Sequence, residues 1–94
     1  MLLKRDLLEE IKAGRVDLVF RRWNRPSVKP GGTLKTKLGL LQIGAMDEMD
    51  PGDVVESDAQ RAGFTSLADF HLWLATMKPG HIFQRIEVSY LGEA

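Results

Sequence analysis

An α+β fold built on a small curved β-sheet is what this sequence predicts, and three observations carry it. Leu3, Leu7, Leu8 and Ile11 recur at helical spacing near the start of the chain. Val16, Leu18 and Phe20 then alternate as a strand does. A long extended stretch from Thr33 to Met46 is interrupted by Gly39 and Gly44, and glycines inside an apolar strand mark bends or bulges, which curve a sheet. With 94 residues the chain has room for one core, so a single domain over 1–94 is expected.

The elements follow in order. The first helix carries Lys4, Arg5, Glu9, Glu10 and Lys12 on its polar face and stops at Gly14. The strand through Val16, Leu18, Val19 and Phe20 ends in Arg21-Arg22-Trp23. From Asn24 to Gly32, Pro26, Pro30 and the Gly31-Gly32 pair impose a loop. Leu38, Leu40, Leu41 and Ile43 make Thr33 to Met46 extended. Asp47 to Asp53 is an acidic turn around Pro51-Gly52, lacking the alternation and terminal Glu of a calcium loop. Ser57 or Asp58 is positioned to cap a short helix through Arg61, ending at Gly63; Thr65 or Ser66 caps another in which Leu67, Phe70, Leu74 and Met77 share a face. Pro79-Gly80 ends that helix. A last strand runs from about Ile82 to Tyr90, with Ile82, Ile86, Val88 and Tyr90 on one face and Gln84 out of pattern.

Hydrophobic content of 44% and charged content of 28% are those of an ordinary folded domain. No apolar run approaches the roughly 20 residues of a spanning helix, and the first residues do not form a secretory signal, so no membrane partner is expected. The absence of cysteine excludes disulfides, thiolate metal sites and cysteine nucleophiles, and makes a cytoplasmic location the default. His71 and His81 have no second ligand at metal spacing; neither metal nor cofactor is expected.

The formal net charge is zero, yet it is partitioned: residues 1–37 hold ten cations and four anions, residues 38–94 three and nine. Between Arg15 and Lys37 stand Arg15, Arg21, Arg22, Arg25, Lys29, Lys35 and Lys37 against Asp17 alone. Brought to one face, such a set binds a polyanion by counterion release, with Trp23 available to stack on a base. The alternative is that the acidic half folds back against the basic one.

The order of a helix, AGR, a strand ending in Arg-Arg-Trp, a Pro/Gly loop, a T-x-x-G-L strand from Thr36 to Leu40, the run D-A-x-x-A-G-F from Asp58 to Phe64, and a final strand after a Pro-Gly turn resembles a small bacterial ASCH domain. The resemblance covers nearly the whole chain. It implies a PUA-like fold, a small curved β-barrel with helices covering the barrel openings, an architecture similar to that of RNA-binding domains. It also implies a ligand cleft between the barrel and its covering helix. The family signature is Gly, any residue, Lys, two residues, Glu, one residue, Arg. Gly14 and Arg21 occupy its ends, whereas Val16 and Val19 replace the Lys and the Glu. One branch hydrolyses acetylcytidine with a Lys and a Thr on this strand and a Glu on a helix. Val16 and Val19 stand where the Lys and Thr would be, and the Glu position falls near Arg61 or Ala62. Valine neither attacks nor moves a proton, so that chemistry does not transfer.

The candidate nucleic-acid-binding residues are therefore Arg21, Arg22, Trp23, Arg25, Lys29, Lys35, Thr36 and Lys37. Arg21, Arg22 and Trp23 form either a cation-and-stacking platform or a solvated Arg pair with a Trp plugging the barrel mouth; neighbours on a strand point to opposite faces, so only one arginine enters a given cleft. Lys35, Thr36 and Lys37 either grip phosphate or guard a β-edge. Helical spacing places Phe70, Trp73 and Met77 in the core. An RNA partner, single-stranded or structured, is what the resemblance implies, and the lack of a helix rich in base-reading side chains favours RNA over duplex DNA. The alternatives are a small nucleoside- or RNA-directed hydrolase using Asp17 or Glu56 as base, and a domain whose basic face meets a protein partner.

Overall fold

The computed structural model describes residues 3–93. Its elements are α1 (Arg5–Lys12), β1 (Leu18–Trp23), β2 (Thr33–Thr36), β3 (Gly39–Glu48), a 3-10 turn (Pro51–Asp53), α2 (Glu56–Arg61), α3 (Leu67–Leu74) and β4 (Ile82–Gly92). The α+β class is as the sequence predicts. The four strands form one antiparallel sheet in the order β1-β4-β3-β2, curled into a half-barrel. The barrel does not close, because β1 and β2 are its two edges and do not pair with each other. Among the described residues no helix is long and apolar enough to cross a membrane.

Strand β1 explains the architecture. Leu18, Val19 and Phe20 are all buried, so both faces of the sheet are covered there. Val19 joins Leu8, Ile11, Leu41, Ile43, Ile86 and Val88 in a core inside the curl, closed by α1. Leu18 and Phe20 join Val54, Ala59, Ala62, Phe70 and Phe83 in a second core under α2 and α3. Aromatic rings dominate this second core: Phe20 stacks on Phe83 at 5.7 Å between centroids and tilts against Phe70 at 5.1 Å. Burial of each such side chain stabilises the fold by about 1.5–3 kcal/mol.

Val16 and Val19, at 3% and 4% exposure, are buried as their apolar character requires. Val16 nevertheless lies in the inner core with Val19 rather than on the face of Leu18 and Phe20. The strand begins only at Leu18, because the Asp17 N–H donates to the Arg61 carbonyl (3.2 Å) instead of joining the sheet.

The stretch from Thr33 to Met46 is a hairpin rather than one bent strand. Thr36 faces Gly39 across a two-residue turn. The Thr36 hydroxyl donates to the Gly39 carbonyl (2.7 Å) and accepts from the Leu38 N–H (3.2 Å), while the Tyr90 hydroxyl donates to the Leu38 carbonyl (2.8 Å). Gly39 has φ +131°, which an L side chain rarely adopts. Gly44 does what a strand glycine suggests: it sits in the register shift between Ile43 and Met46, against Glu87 of β4.

Two further local expectations change. Helix α2 starts at Glu56 with Val55 at its N-cap, so Ser57 and Asp58 lie inside it and neither caps it. The Asp58 carboxylate is engaged elsewhere, by Arg85. Ser66, in contrast, does cap α3, accepting from the Asp69 N–H (3.2 Å), and that helix ends at Leu74, one turn short of Met77. Gln84, out of the apolar pattern of β4, shares the inner face with Ile86 and Val88 because its Oε1 accepts from the Trp23 indole N–H at 2.8 Å.

Gly39→Ala should lower stability by about 1–3 kcal/mol or more, since positive φ is strained and a Cβ there would lie 2.5 Å from the Gly92 carbonyl oxygen. Gly31→Ala, at φ +81° with nothing within 4 Å, should lose only about 1 kcal/mol from the strain. Urea unfolding midpoints of the two variants compare them directly.

Candidate functional site

A cleft of about 460 Å³ runs along the free edge of β1, between α1 and the α2–α3 pair. Its floor is Val16, Val19 and Arg21; Lys4, Asp6, Leu7 and Glu10 come from the α1 side; Gly63, Phe64 and Trp73 come from the other. The local sequence explains why. Leu8 and Ile11 turn into the core and leave the polar N-terminal side of α1 along the rim. The stop at Gly63, with φ +97°, is followed directly by Phe64, which lines the cleft. Phe64 and Trp73 stand 5.1 Å apart between ring centroids and form an aromatic wall.

Arg21 is the one expected binding residue that reaches this cleft. It alternates with Val19 and Trp23 on the inner face, opposite Gln84. Its Nε is sealed from solvent, and burial lowers the guanidinium pKa, although an arginine remains a cation at neutral pH. Asp6 makes no ion pair among the described residues, whereas Glu10 is paired with Arg15, which removes Arg15 from the set of available cations.

The other candidates are dispersed. Arg22 lies opposite Phe83, on the α2–α3 face, and Trp23 opposite Ile82 with its N–H committed to Gln84; both are half-buried. Arg25 and Lys29 are exposed in the loop between β1 and β2. Lys35 and Lys37 are exposed on β2 and at its hairpin turn, and the Thr36 hydroxyl is spent within that turn. Arg22 and Trp23 sit beside the first residues of β4, whereas β3 enters the hairpin at Leu40, opposite Gly92 at the far end of β4. At about 3.3 Å per residue, that separation is on the order of 30 Å along the strand before curling. The seven cations of the 15–37 segment therefore do not converge on one nucleotide.

They are not neutralised either. Among the described residues Arg22, Arg25, Lys29, Lys35 and Lys37 enter no ion pair. Among the described residues one ion pair joins the two halves of the chain, and it runs the opposite way: Arg61, a cation of the acidic half, reaches Asp17 at 2.9 Å. Within the acidic half, Arg85 binds Asp58 through two contacts at 2.8 and 3.3 Å, and Arg61 and Arg85 both approach Glu87. This network ties α2, and with it the Gly63–Phe64 wall of the cleft, to β1 and β4. Arg85, as hydrogen-bond donor first and as a charge second, holds the Asp58 carboxyl below its ordinary value of 3.8; Asp58 and Asp17 in turn raise Arg85 and Arg61.

Phe64 and Trp73 are the site residues that sequence reasoning misses. Helical spacing assigns Trp73 to the core alongside Phe70 but cannot distinguish a face packed on a sheet from one lining a cleft. Among the described residues no group of three acidic or histidine side chains is placed to hold a metal ion. No protein-family model matches the chain, and neither a curated protein nor a solved structure is significantly similar to it.

Because Asp58 titrates below its unfolded value, its pairing stabilises the fold at neutral pH and ceases to do so as the pH falls through the folded value, below 3.8. Asp58→Asn should therefore lose about 1–3 kcal/mol at pH 7, and its stability deficit relative to the parent should shrink between about pH 5 and about pH 3. Chemical unfolding across that pH range measures it.

Proposed function

We propose that this chain is an RNA-binding domain of ASCH type that admits one unpaired base to the cleft beside Arg21 and holds the flanking backbone with dispersed cations. The observation that carries the reading is the cleft itself: a concavity of about 460 Å³ that sets one half-buried guanidinium against an aromatic wall of Phe64 and Trp73. Base stacking on aromatic side chains together with backbone neutralisation is how single strands are bound. The un-neutralised Arg22, Arg25, Lys29, Lys35 and Lys37 provide the second part. Their separation along the sheet fits a strand of several nucleotides rather than a free nucleotide. In this reading Trp73, not Trp23, faces the base. Trp23 acts through the fold, anchoring the end of β1 to Gln84.

The hydrolase alternative finds less support. Neither Asp17 nor Glu56 lines the cleft, Asp17 is engaged by Arg61, and the positions on the floor beside Arg21 are Val16 and Val19, which move no proton. Acetylcytidine incubated with the protein should release no acetate above background; time-dependent release that disappears on substituting a cleft residue would establish the alternative.

Binding should be measured by fluorescence anisotropy of a labelled single-stranded RNA over a series of salt concentrations. Lys35→Ala should weaken binding to all sequences alike and lower the salt slope by about one, whereas Trp73→Ala should lose about 1–3 kcal/mol with little change in slope. The Lys35 effect should vanish for oligomers too short to reach from Arg25 to β2. Absence of any RNA affinity at low salt would remove the reading.

A further inference from the structure

Asp17, the residue before β1, bonds to the sheet on one side and to a helix on the other. The Val88 N–H donates to the Asp17 carbonyl at 3.0 Å, one half of the bonded pair that antiparallel strands make. The reciprocal bond, from the Asp17 N–H to the Val88 carbonyl, is exchanged for one to the Arg61 carbonyl (3.2 Å) at the end of α2. The strand consequently begins one residue later, at Leu18. The Asp17 carboxylate also accepts from the Arg61 Nε–H at 2.9 Å, so main chain and side chain clasp the same partner.

This clasp adjoins the cleft without entering it. Neither Asp17 nor Arg61 lines the cleft, yet Val16 and Leu18 on either side of Asp17 do, as do Ala62, Gly63 and Phe64 just beyond Arg61. The links from clasp to wall are short. The Gly63 and Phe64 N–H groups donate back to the Gln60 and Ala59 carbonyls, both at 3.0 Å, so these two residues move with the end of α2. Gly63 lies so near β1 that a Cβ on it would be 3.3 Å from the Val16 Cγ2. The Phe64 ring is in turn 5.1 Å from that of Trp73 and 5.6 Å from that of Phe70.

We propose, on the RNA-binding reading, that Asp17 and Arg61 are positioning residues: their clasp fixes the end of α2 against the start of β1 and so holds Phe64, and with it the aromatic wall, at the spacing from β1 that admits a base. With its side chains 38% and 56% exposed, the ion pair adds little to folding. Its role is in where the wall stands.

Asp17→Asn tests this, because it removes the ion pair and keeps the main-chain bond. Loss of an anion would by itself favour a polyanion, so weaker binding identifies the positional effect. Anisotropy with a labelled single-stranded RNA should show affinity reduced about threefold to fivefold, the ceiling set by an exposed pair, with the salt slope unchanged because no phosphate contact is lost. In an Arg61→Gln background the same substitution should have no further effect. In NMR spectra of the free protein, Asp17→Asn should shift the Phe64 amide and Trp73 indole signals, while the Trp23 indole, bonded to Gln84 at the other end of β1, stays in place. Asp50→Ala, which removes the carboxylate that accepts from the Gly52 N–H at 2.8 Å, is the control for stability alone: it should destabilise the fold and leave both the affinity and those signals unchanged. Unchanged affinity or unchanged wall signals in Asp17→Asn would overturn the positioning role, as would an equal loss of affinity in Asp50→Ala or additive losses in the double variant. A parent protein without RNA affinity removes the RNA-binding reading instead, and the Phe64 and Trp73 signals then still decide whether the clasp places the wall.

Discussion

Burial of β1 on both faces is the constraint on which the rest of this structure depends. Leu18 and Phe20 require cover on one side of the sheet and Val19 on the other, so the chain must supply α2–α3 for the first and α1 with the curl of β3 and β4 for the second. Since β1 is also an edge strand, the helices that cover its two faces project past it and leave a space between them. The cleft is that space. It is a by-product of covering an edge strand twice, and the valines of its floor are apolar for the same reason that β1 is buried.

The charge distribution follows a separate logic. Arg61 and Arg85 are drawn to Asp17, Asp58 and Glu87 because α2 docks on β4 through them, and close, partly desolvated pairs are worth more than solvated ones. That docking uses acidic groups that would otherwise be available to the cations of the first half. The exposed Arg25, Lys29, Lys35 and Lys37 remain solvated and enter no ion pair among the described residues. A net charge of zero thus coexists with a surface that can attract a polyanion, because neutrality of the whole chain says nothing about where pairing occurs.

Several features legible in the sequence owe their legibility to local physics. Helical spacing in Leu8 and Ile11 and a serine at the start of α3 each report an interaction made within a few residues. Where the partner is distant, the same kind of reading goes astray. Asp58 has the chemistry of a helix cap but is claimed by Arg85 from another element. Gln84 breaks the apolar pattern of its strand until Trp23, 61 residues away, is seen to donate to it. Gly39 indicates an irregularity, and only the approach of Gly92 and Tyr90 makes it a hairpin corner.

By itself the sequence determined the α+β class, the burial of Val16 and Val19 and the presence of a cation-rich segment, because composition, periodicity and side-chain polarity are properties of residues and their near neighbours. Only the tertiary structure decided that the sheet stays an open half-barrel, that the cations lie at opposite ends and edges of it, and that Phe64 and Trp73 form a wall of the cleft. Those outcomes depend on strand order and register, which are set by which long-range pairings bury the most apolar surface while satisfying the buried polar groups, and no local pattern in the chain encodes that comparison.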